Sequence, residues 1–332
     1  MNVMNSVTKP HERLAELLAN EMADVNALIR ERMTSEHAPR IPEVTAHLVE
    51  AGGKRLRPML TLATAKMCGY TGPYHVHLAA TVEFIHTATL LHDDVVDESA
   101  KRRGRPTANL LWDNKSSVLV GDYLFARSFQ LMTDTGNLRV LRILSNAAAT
   151  IAEGEVLQLT AAQDLKTSEK TYLQVVRGKT AALFSAATEV GGVIADRPEE
   201  EIQALFDYGD ALGIAFQIVD DLLDYWGGDA TGKNIGDDFR ERKLTLPLIK
   251  AYAAANDEER AFWKRVIEKG DQRDGDLERA LELLNTHGAL EATRQEALSW
   301  TAKAKTAMEI LPQSEMRDLL IDLNDYVVAR VT

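Results

Sequence analysis

Residues 84–97 read FIHTATLLHDDVVD, and residues 214–224 read IAFQIVDDLLD. Each apolar run ends in the same acidic pattern, which consists of Asp93, Asp94 and Asp97 in the first copy and Asp220, Asp221 and Asp224 in the second. Positions i and i+4 lie one turn apart on one helix face, so the outer two carboxylates of each copy are neighbours. Such carboxylates repel each other by about 3 kcal/mol at roughly 6 Å and an effective dielectric near 20. A hard divalent cation shared with a substrate phosphate would offset that repulsion, and Mg²⁺ commonly binds in this way.

The composition predicts one large domain that spans residues 1–332. No linker rich in proline, glycine or serine divides the 332 residues, although the length alone would permit two domains. The net charge is −12 and the basic residues form no long patch, which argues against a nucleic-acid partner. The single cysteine, Cys68, fits a reducing compartment. Without a signal-peptide core or an apolar stretch long enough to cross a bilayer, a cytoplasmic location is expected.

Hydrophobic periodicity predicts an all-α fold. Apolar residues recur at a period near 3.6, and no sustained period-two strand and no Asn-Gly hairpin is found. Two segments, 180–187 and 211–223, are apolar on more than one face, which is typical of helices inside a large bundle. The predicted helices cover residues 11–33, 56–67, 76–91, 116–132, 140–159, 169–190, 200–225 and 244–255.

Basic residues accompany the acidic copies. Residues 52–58 read GGKRLRP, in which Lys54 and Arg57 would share a face if a helix began there and the paired glycines would permit a close approach. Residues 101–106 read KRRGRP and follow the first acidic copy directly. This basic loop either pairs with the acids or closes over a metal-bound diphosphate. Each acidic copy taken alone could also be a solvated helix face, but two copies after apolar runs make that reading weaker.

Further candidate residues accompany the acidic copies. His86 is two turns before Asp93 on the same helix face, and Gln217 is one turn before Asp220. The other candidates of this set are Lys179, Thr180, Lys233 and Lys243. Each of these lysines, taken singly, could equally be a surface residue.

From about residue 40 to 250 the chain resembles the trans-isoprenyl diphosphate synthases, the polyprenyl synthetase family. The resemblance rests on GGKRLRP, LLHDDVVDES, RRGRPTAN, GDYLFARSF, GKTAALF, FQIVDDLLD and GKNIGDD, in that order. The segments HTATLLHDDVVDES and AEGEVLQL are most similar to synthases that make octaprenyl to decaprenyl diphosphates. The resemblance implies a single all-helical bundle around a central cavity.

The resemblance also implies a reaction. All six aspartates hold three Mg²⁺ ions, with Mn²⁺ as a possible substitute, and the metals bind the diphosphate of an allylic primer of the farnesyl or geranylgeranyl type. Ionisation gives an allylic cation, which isopentenyl diphosphate attacks, and Thr180 and Gln217 place oxygens near that cation. By resemblance, isopentenyl diphosphate binds Lys54, Arg57, His86 and Arg103, and the allylic diphosphate binds Arg102, Lys179, Lys233 and Lys243.

The length of the product depends on residues before the first acidic copy. Thr89, Ile85 and Val82 lie one, two and three turns before Asp93 on its face, and Ala88 flanks that line. Short-chain relatives carry bulky aromatic residues four and five positions before the first aspartate, where this chain has Thr89 and Ala88. Without that floor a long product is expected, for a quinone side chain by resemblance.

Other readings remain open at this point. A shorter-chain farnesyl or geranylgeranyl diphosphate synthase is one alternative. Another class I terpenoid enzyme is less favoured, because it has no use for a second, isopentenyl-binding basic set. A non-catalytic subunit would be expected to have lost acidic residues. The resemblance further implies a homodimer, and a long product would be handed to a membrane.

Overall fold

A computed structural model describes residues 9–50, 52–102, 104–226 and 235–331. Within these residues the fold is helical, and the all-α prediction is confirmed. The α-helices are α1 Pro10–Leu17, α2 Ala19–Arg32, α3 Arg40–Glu50, α4 Leu56–Met67, α5 Tyr74–Val96, α6 Ala108–Leu111, α7 Asn114–Asp134, α8 Leu138–Ala161, α9 Glu169–Val176, α10 Ala182–Ile194, α11 Glu199–Trp226, α12 Asp237–Arg240, α13 Leu246–Ala254, α14 Asp257–Trp263, α15 Asp276–Thr286, α16 Ala289–Ala307 and α17 Glu315–Val328.

Shorter elements complete the description. Arg177–Ala181 and Lys264–Glu268 are π-helical, and Met308–Ile310 and Ala329–Val331 are 3₁₀ turns. The strands β1 Lys101–Arg102 and β2 Arg105–Pro106 pair antiparallel. No described helix is both long and apolar enough to cross a bilayer.

The chain forms two compact units. Unit 1 comprises Met1–Ala148, Ala186–Phe206 and Leu311–Leu319, and unit 2 comprises Ala149–Ser185, Asp207–Ile310 and Leu320–Thr332. The prediction of one domain over residues 1–332 stays a prediction.

Unit 1 is built around α5, which packs against α2, α4 and α7. Much of α4 and of α5 is buried on several faces, as expected for helices inside a bundle. Pro58 lies in the first turn of α4, where its missing N–H costs no intrahelical hydrogen bond. The helix α7 begins at Asp113, whose Oδ1 accepts the backbone N–H of Ser116 at 2.6 Å.

In unit 2, α13 packs against α9, α15 and α16. The part of α11 in this unit is buried on several faces, and the Tyr208 hydroxyl donates to the Leu320 carbonyl at 2.8 Å. Gly213 allows α11 to approach closely, since a Cβ there would lie 2.7 Å from the Ala181 Cα. This packing holds the second acidic copy on a rigid helix.

The structure corrects two predicted helices. Residues 11–33 form α1 and α2 with a break at Leu18, but hydrogen bonds from Leu18 N to Leu14 O and from Met22 N to Leu18 O continue the spacing. Periodicity therefore could not reveal the break. Residues 169–190 do not form one α-helix, because the π-helical turn Arg177–Ala181 interrupts them. The predicted loop after the first acidic copy contains the β1–β2 hairpin.

Candidate functional site: two acidic clusters and their partners

The first acidic cluster, Asp93, Asp94 and Asp97, lies at the C-terminal end of α5 in unit 1. The backbone N–H of Asp97 donates to the Asp93 carbonyl at 2.8 Å, so helical geometry extends through the motif. Asp94 is fully buried, whereas Asp93 is half-buried and Asp97 is exposed. The outer two carboxylates are thus the more accessible ones.

Asp94 is held by Arg102 of the hairpin. Its Oδ1 accepts from Arg102 Nε at 2.9 Å and from Nη2 at 2.8 Å. Its Oδ2 is buried and has no hydrogen-bond partner among the described residues. Of the two alternatives for the basic loop, Arg102 therefore shows the pairing with an acidic residue. Its contact with an allylic diphosphate stays a prediction. Arg103 lies outside the described residues.

The loop before α4 does not adopt the expected helical face. The helix α4 begins at Leu56, so Lys54 lies before it and Arg57 lies in its first turn. Gly52 has φ 73°, and a Cβ there would meet no atom within 4 Å among the described residues. The positive φ of Gly52 favours glycine for backbone conformation, and the close approach expected of the paired glycines stays a prediction. Arg57 Nη1 lies 3.3 Å from His86 Nε2, so two of the predicted isopentenyl diphosphate ligands are brought together.

The predicted chain-length residues lie on α5 before the first cluster. Val82, Ile85 and Ala88 are fully buried. Thr89 is half-buried, and its hydroxyl donates to the His86 carbonyl at 2.8 Å. Phe84 is also buried. Only small side chains therefore occupy the two positions four and five residues before Asp93.

The second acidic cluster, Asp220, Asp221 and Asp224, lies on α11 in unit 2. Asp220 is the most accessible of the three, and its Oδ1 lies 3.5 Å from Nη2 of Arg330. The Arg330 guanidinium also lies over the Phe216 ring, 5.6 Å from its centre. Position 216 is four residues before Asp220, so this cluster has an aromatic ring where the first has Thr89.

Asp221 is the centre of a buried hydrogen-bond network. The Tyr172 hydroxyl donates to its Oδ2 at 2.6 Å, and Gln217 Nε2 donates to its Oδ1 at 2.7 Å. The Thr180 hydroxyl in turn donates to Gln217 Oε1 at 2.8 Å. Burial raises the pKa of Asp221 to about 7, although the bonds from Tyr172 and Gln217 lower it. Burial and the neighbouring carboxylate raise the pKa of Tyr172 well above its usual value.

Asp224 binds the backbone of the next helix. Its Oδ1 accepts from the N–H of Asp237 at 3.2 Å, and its Oδ2 accepts from the N–H of Asp238 at 3.0 Å. Both N–H groups belong to the first turn of α12, where donors have no partner within the helix. Burial first, and then the charges of Asp221 and Asp224, raise the pKa of Asp238 well above its usual value. Asp224 therefore fixes the start of α12.

Lys179 lies in the π-helical turn Arg177–Ala181 and pairs with Glu155 of α8 at 3.0 Å. Close backbone packing accompanies this turn, since a Cβ on Gly154 would lie 2.7 Å from the Gly178 Cα. Single π-turns inside helices occur frequently at functional sites. Lys243 pairs with Asp238 at 4.0 Å and with Glu241. Lys233 lies outside the described residues.

The predicted site residues are brought together within each unit. In unit 1 the first cluster shares α5 with His86, and in unit 2 the second cluster contacts Gln217 and Thr180. Across the described ranges, no three His, Cys, Asp or Glu side chains form a ready-made cation site.

Three residues that contact the candidate site are not among the residues predicted from the sequence. Tyr172 precedes Lys179 by seven residues, so a search two helical turns back could have found it. Glu155 lies in the segment AEGEVLQL, but no spacing rule connects it to Lys179. Arg330 is far from Asp220 in the sequence, and no local pattern connects the two.

Comparison with known proteins finds close relatives. The polyprenyl synthetase family model matches residues 38–284. Octaprenyl diphosphate synthase from Escherichia coli K12 is 47% identical over 96% of this chain and 98% of its own length. The crystal structure of a decaprenyl diphosphate synthase from Rhodobacter capsulatus is 75% identical, covers 97% of this chain and 100% of its own, and has a TM-score of 0.95. A polyprenyl synthase from Caulobacter crescentus CB15, complexed with calcium and isoprenyl diphosphate, is 49% identical with a TM-score of 0.91, over 97% of this chain and 98% of its own.

Proposed function

This chain belongs to the polyprenyl synthetase family and is a prenyltransferase, and we propose that it makes a long all-trans polyprenyl diphosphate. Isopentenyl diphosphate is added repeatedly to an allylic diphosphate of the farnesyl or geranylgeranyl type. One observation carries the proposal. The chain combines two complete acidic clusters with a separate basic set, in which Arg57 lies 3.3 Å from His86. A terpenoid enzyme that only ionises one allylic diphosphate has no need of that second set.

A divalent cation fits the acidic residues of both clusters. Asp93 and Asp97 present oxygen ligands one turn apart, and the buried Asp94 Oδ2 has no hydrogen-bond partner among the described residues. Mg²⁺ typically completes its coordination with water and substrate phosphate, which agrees with the lack of a three-ligand protein site in the described ranges. The relative that is complexed with calcium and isoprenyl diphosphate supports this pairing of cation and ligand. Three Mg²⁺ ions, or Mn²⁺ in their place, are the proposed complement.

The accessible aspartates are the proposed direct cation ligands, Asp94 with its unpartnered Oδ2 is a further candidate, and Asp221 and Asp224 orient the second cluster. Asp93, Asp97 and Asp220 would bind the cations directly. Asp221 and Asp224 already use both carboxylate oxygens in hydrogen bonds, which places them better as supports. The bound cations would stabilise the negative charge on the departing diphosphate.

The other residues serve the two substrates. Lys54, Arg57, His86 and Arg103 hold isopentenyl diphosphate, while Arg102, Lys179, Lys233 and Lys243 contact the allylic diphosphate. The allylic C–O bond breaks and its electron pair leaves with the diphosphate, after which the isopentenyl double bond forms the new C–C bond. The released pyrophosphate takes the proton that restores a double bond. Thr180 and Gln217 present oxygens near the cation, and the apolar helices exclude water that would quench it.

The proposed product length is in the octaprenyl to decaprenyl range, as in the relatives with those names. The small Ala88 and Thr89 leave room for a growing chain, and Val82 and Ile85 extend the same line along α5. A product of this length suits a quinone side chain and would be handed to a membrane. The cytoplasmic location stays a prediction.

A homodimer is the proposed assembly. Its support within the structure is a group of exposed apolar side chains on α7, which includes Val118, Leu119 and Phe129. Light scattering during size-exclusion chromatography would give twice the mass of one 36.7 kDa chain, whereas a mass equal to one chain would contradict the dimer.

The condensation itself is tested by measuring its two products, the elongated prenyl diphosphate and pyrophosphate. Purified protein is incubated with labelled isopentenyl diphosphate, Mg²⁺ and farnesyl or geranylgeranyl diphosphate. Label should enter acid-labile prenyl diphosphate with release of one pyrophosphate per addition, and EDTA should stop both. Pyrophosphate release from the allylic substrate alone, without incorporation of label, would instead support a terpenoid cyclase. The absence of both signals would support a non-catalytic subunit.

A further inference from the structure

Arg55 has an unusual backbone conformation in the middle of the GGKRLRP segment. Its φ of 49° and ψ of 33° are left-handed, which costs a residue with a Cβ roughly 1 kcal/mol or more. The residue separates Lys54 from the first turn of α4, where Arg57 lies. A conformation of this kind persists only where surrounding contacts determine it. The contacts of Arg55 therefore decide how the predicted phosphate-binding residues on both sides of it are presented.

The side chain of Arg55 is directed to α5. Its Nη1 lies 2.5 Å from Oε1 of Glu83, and the two side chains are only 17% and 12% exposed. Ion pairs this well shielded from water are strongly coupled, and removing one partner leaves an uncompensated charge. The pair thus anchors the loop before α4 to α5 more firmly than a surface ion pair would.

A second contact joins the same two helices one turn further along α5. Glu83 precedes His86 by three residues, and His86 Nε2 lies 3.3 Å from Arg57 Nη1. The ion pair Arg55–Glu83 and the contact Arg57–His86 therefore form two neighbouring cross-links between the start of α4 and α5. Displacing the first would be expected to shift the second, because positions three apart share a helix face.

A cavity of about 20 Å³ lies beside the ion pair and is lined by Arg55, Glu83, Thr87 and Arg102, together with residues of α3. It is large enough for about one water molecule and far too small for a substrate. Arg102 is the residue that binds Asp94 of the first acidic cluster. The ion pair thus lies in unit 1 beside the residue that holds the first cluster, and the cavity next to it is not a ligand pocket.

We infer that Arg55 and Glu83 are positioning residues for isopentenyl diphosphate, an inference that rests on the proposed function. The ion pair holds the loop in its left-handed conformation, and this sets Lys54 and the Arg57–His86 contact in place for the diphosphate. Glu83 is acidic beside a site for an anion, so its role cannot be attraction of the substrate. Its contribution is to orient the basic groups.

The test measures steady-state kinetics of Glu83→Gln, Arg55→Gln, the double variant and Arg55→Lys. Each single Gln variant should raise the KM for isopentenyl diphosphate at least fivefold, with less than a twofold change in the KM for the allylic primer. The double variant should be no worse than the single ones, because both act through one pair. Arg55→Lys keeps the charge and should restore part of the affinity. Arg139→Gln is the matched control, since it removes the Arg139–Glu199 pair of the same unit and should leave both KM values unchanged.

Four results would overturn the inference. If Arg55 were itself a ligand for the diphosphate, Glu83 would compete with it and Glu83→Gln would lower the KM for isopentenyl diphosphate. If the pair were only structural, both KM values and the melting temperature would change together in the variants. Direct calorimetric binding of isopentenyl diphosphate to the wild-type protein separates this inference from the proposed function. A wild-type protein that neither binds nor condenses it overturns both, whereas normal condensation with unchanged KM values in folded variants overturns the inference alone.

Discussion

The two acidic clusters have the same sequence pattern but differ in what their carboxylates contact. In the first cluster only Asp94 is fully buried, and a charged partner, Arg102, holds it. In the second cluster Asp221 and Asp224 are both buried, and their oxygens accept from a tyrosine, a glutamine and two backbone N–H groups. A repeated motif therefore does not make a repeated site. The first cluster leaves two carboxylates accessible, and the second leaves mainly Asp220.

The residues that precede the clusters differ as well. Four and five positions before Asp93 lie Thr89 and Ala88, whereas the same positions before Asp220 hold Phe216 and Ala215. The Phe216 ring packs against Phe184, with ring centres 5.6 Å apart. Only the first cluster thus has small residues at both positions. This difference supports the proposed path of the growing chain along α5, before the first cluster.

Loss of an accessible carboxylate should have the largest effect. We expect Asp93→Ala and Asp220→Ala each to reduce kcat by about a hundredfold or more, because each removes a proposed ligand of the cations that would stabilise the departing diphosphate. The measurement is turnover at saturating Mg²⁺, with circular dichroism as the control for folding. Retained turnover in both variants would refute the assignment of metal ligands.

A bulky residue before the first cluster should change the product. Ala88→Phe places an aromatic ring where short-chain relatives carry their floor, and chromatographic sizing should give shorter prenyl chains. Ala215→Phe is the matched control, since it lies at the same distance before Asp220 and is equally buried. Either variant should cost about 1–3 kcal/mol of stability through overpacking. If the product length changed in Ala215→Phe but not in Ala88→Phe, the proposed path of the chain before the first cluster would be contradicted.

Removal of the Asp224 carboxylate should mainly affect stability near the second cluster. Asp224→Ala leaves the N–H groups of Asp237 and Asp238 without their acceptor, which should lower the free energy of unfolding by about 1–3 kcal/mol. Chemical denaturation in the absence of substrate measures this. An unchanged free energy of unfolding would show that Asp224 does not fix the start of α12.

The smallest effect is expected from Tyr172→Phe. It removes one hydrogen bond to Asp221 but keeps the ring, so the stability should fall by about 1 kcal/mol and kcat by severalfold. Tyr123→Phe is the control, because its hydroxyl donates to backbone carbonyls and accepts from Arg127 Nε within unit 1, and none of these bonds involves an acidic cluster. This variant should leave kcat unchanged. If both variants have the same kcat as the wild-type protein, Tyr172 does not orient the second cluster.

The sequence predicted the helical fold and both acidic clusters, because helical periodicity and motif spacing are local properties. It could not predict which carboxylates are accessible, since that depends on partners such as Tyr172 and Arg330 that are distant in the chain. The π-helical turn at Lys179 also escaped prediction, because it accompanies the packing of Gly178 against Gly154. In the sequence, Arg55 does not differ from the other basic residues of its loop. Its backbone conformation and its contact with Glu83 distinguish it, and both are visible only in the structure.

The most direct test of the central claim is the length of the product that the wild-type protein makes. Isopentenyl diphosphate is supplied in excess with a farnesyl or geranylgeranyl primer and Mg²⁺, and the dephosphorylated products are sized by reversed-phase chromatography against prenol standards. We expect products that accumulate between octaprenol and decaprenol. Products that stop at farnesol or geranylgeraniol would contradict it.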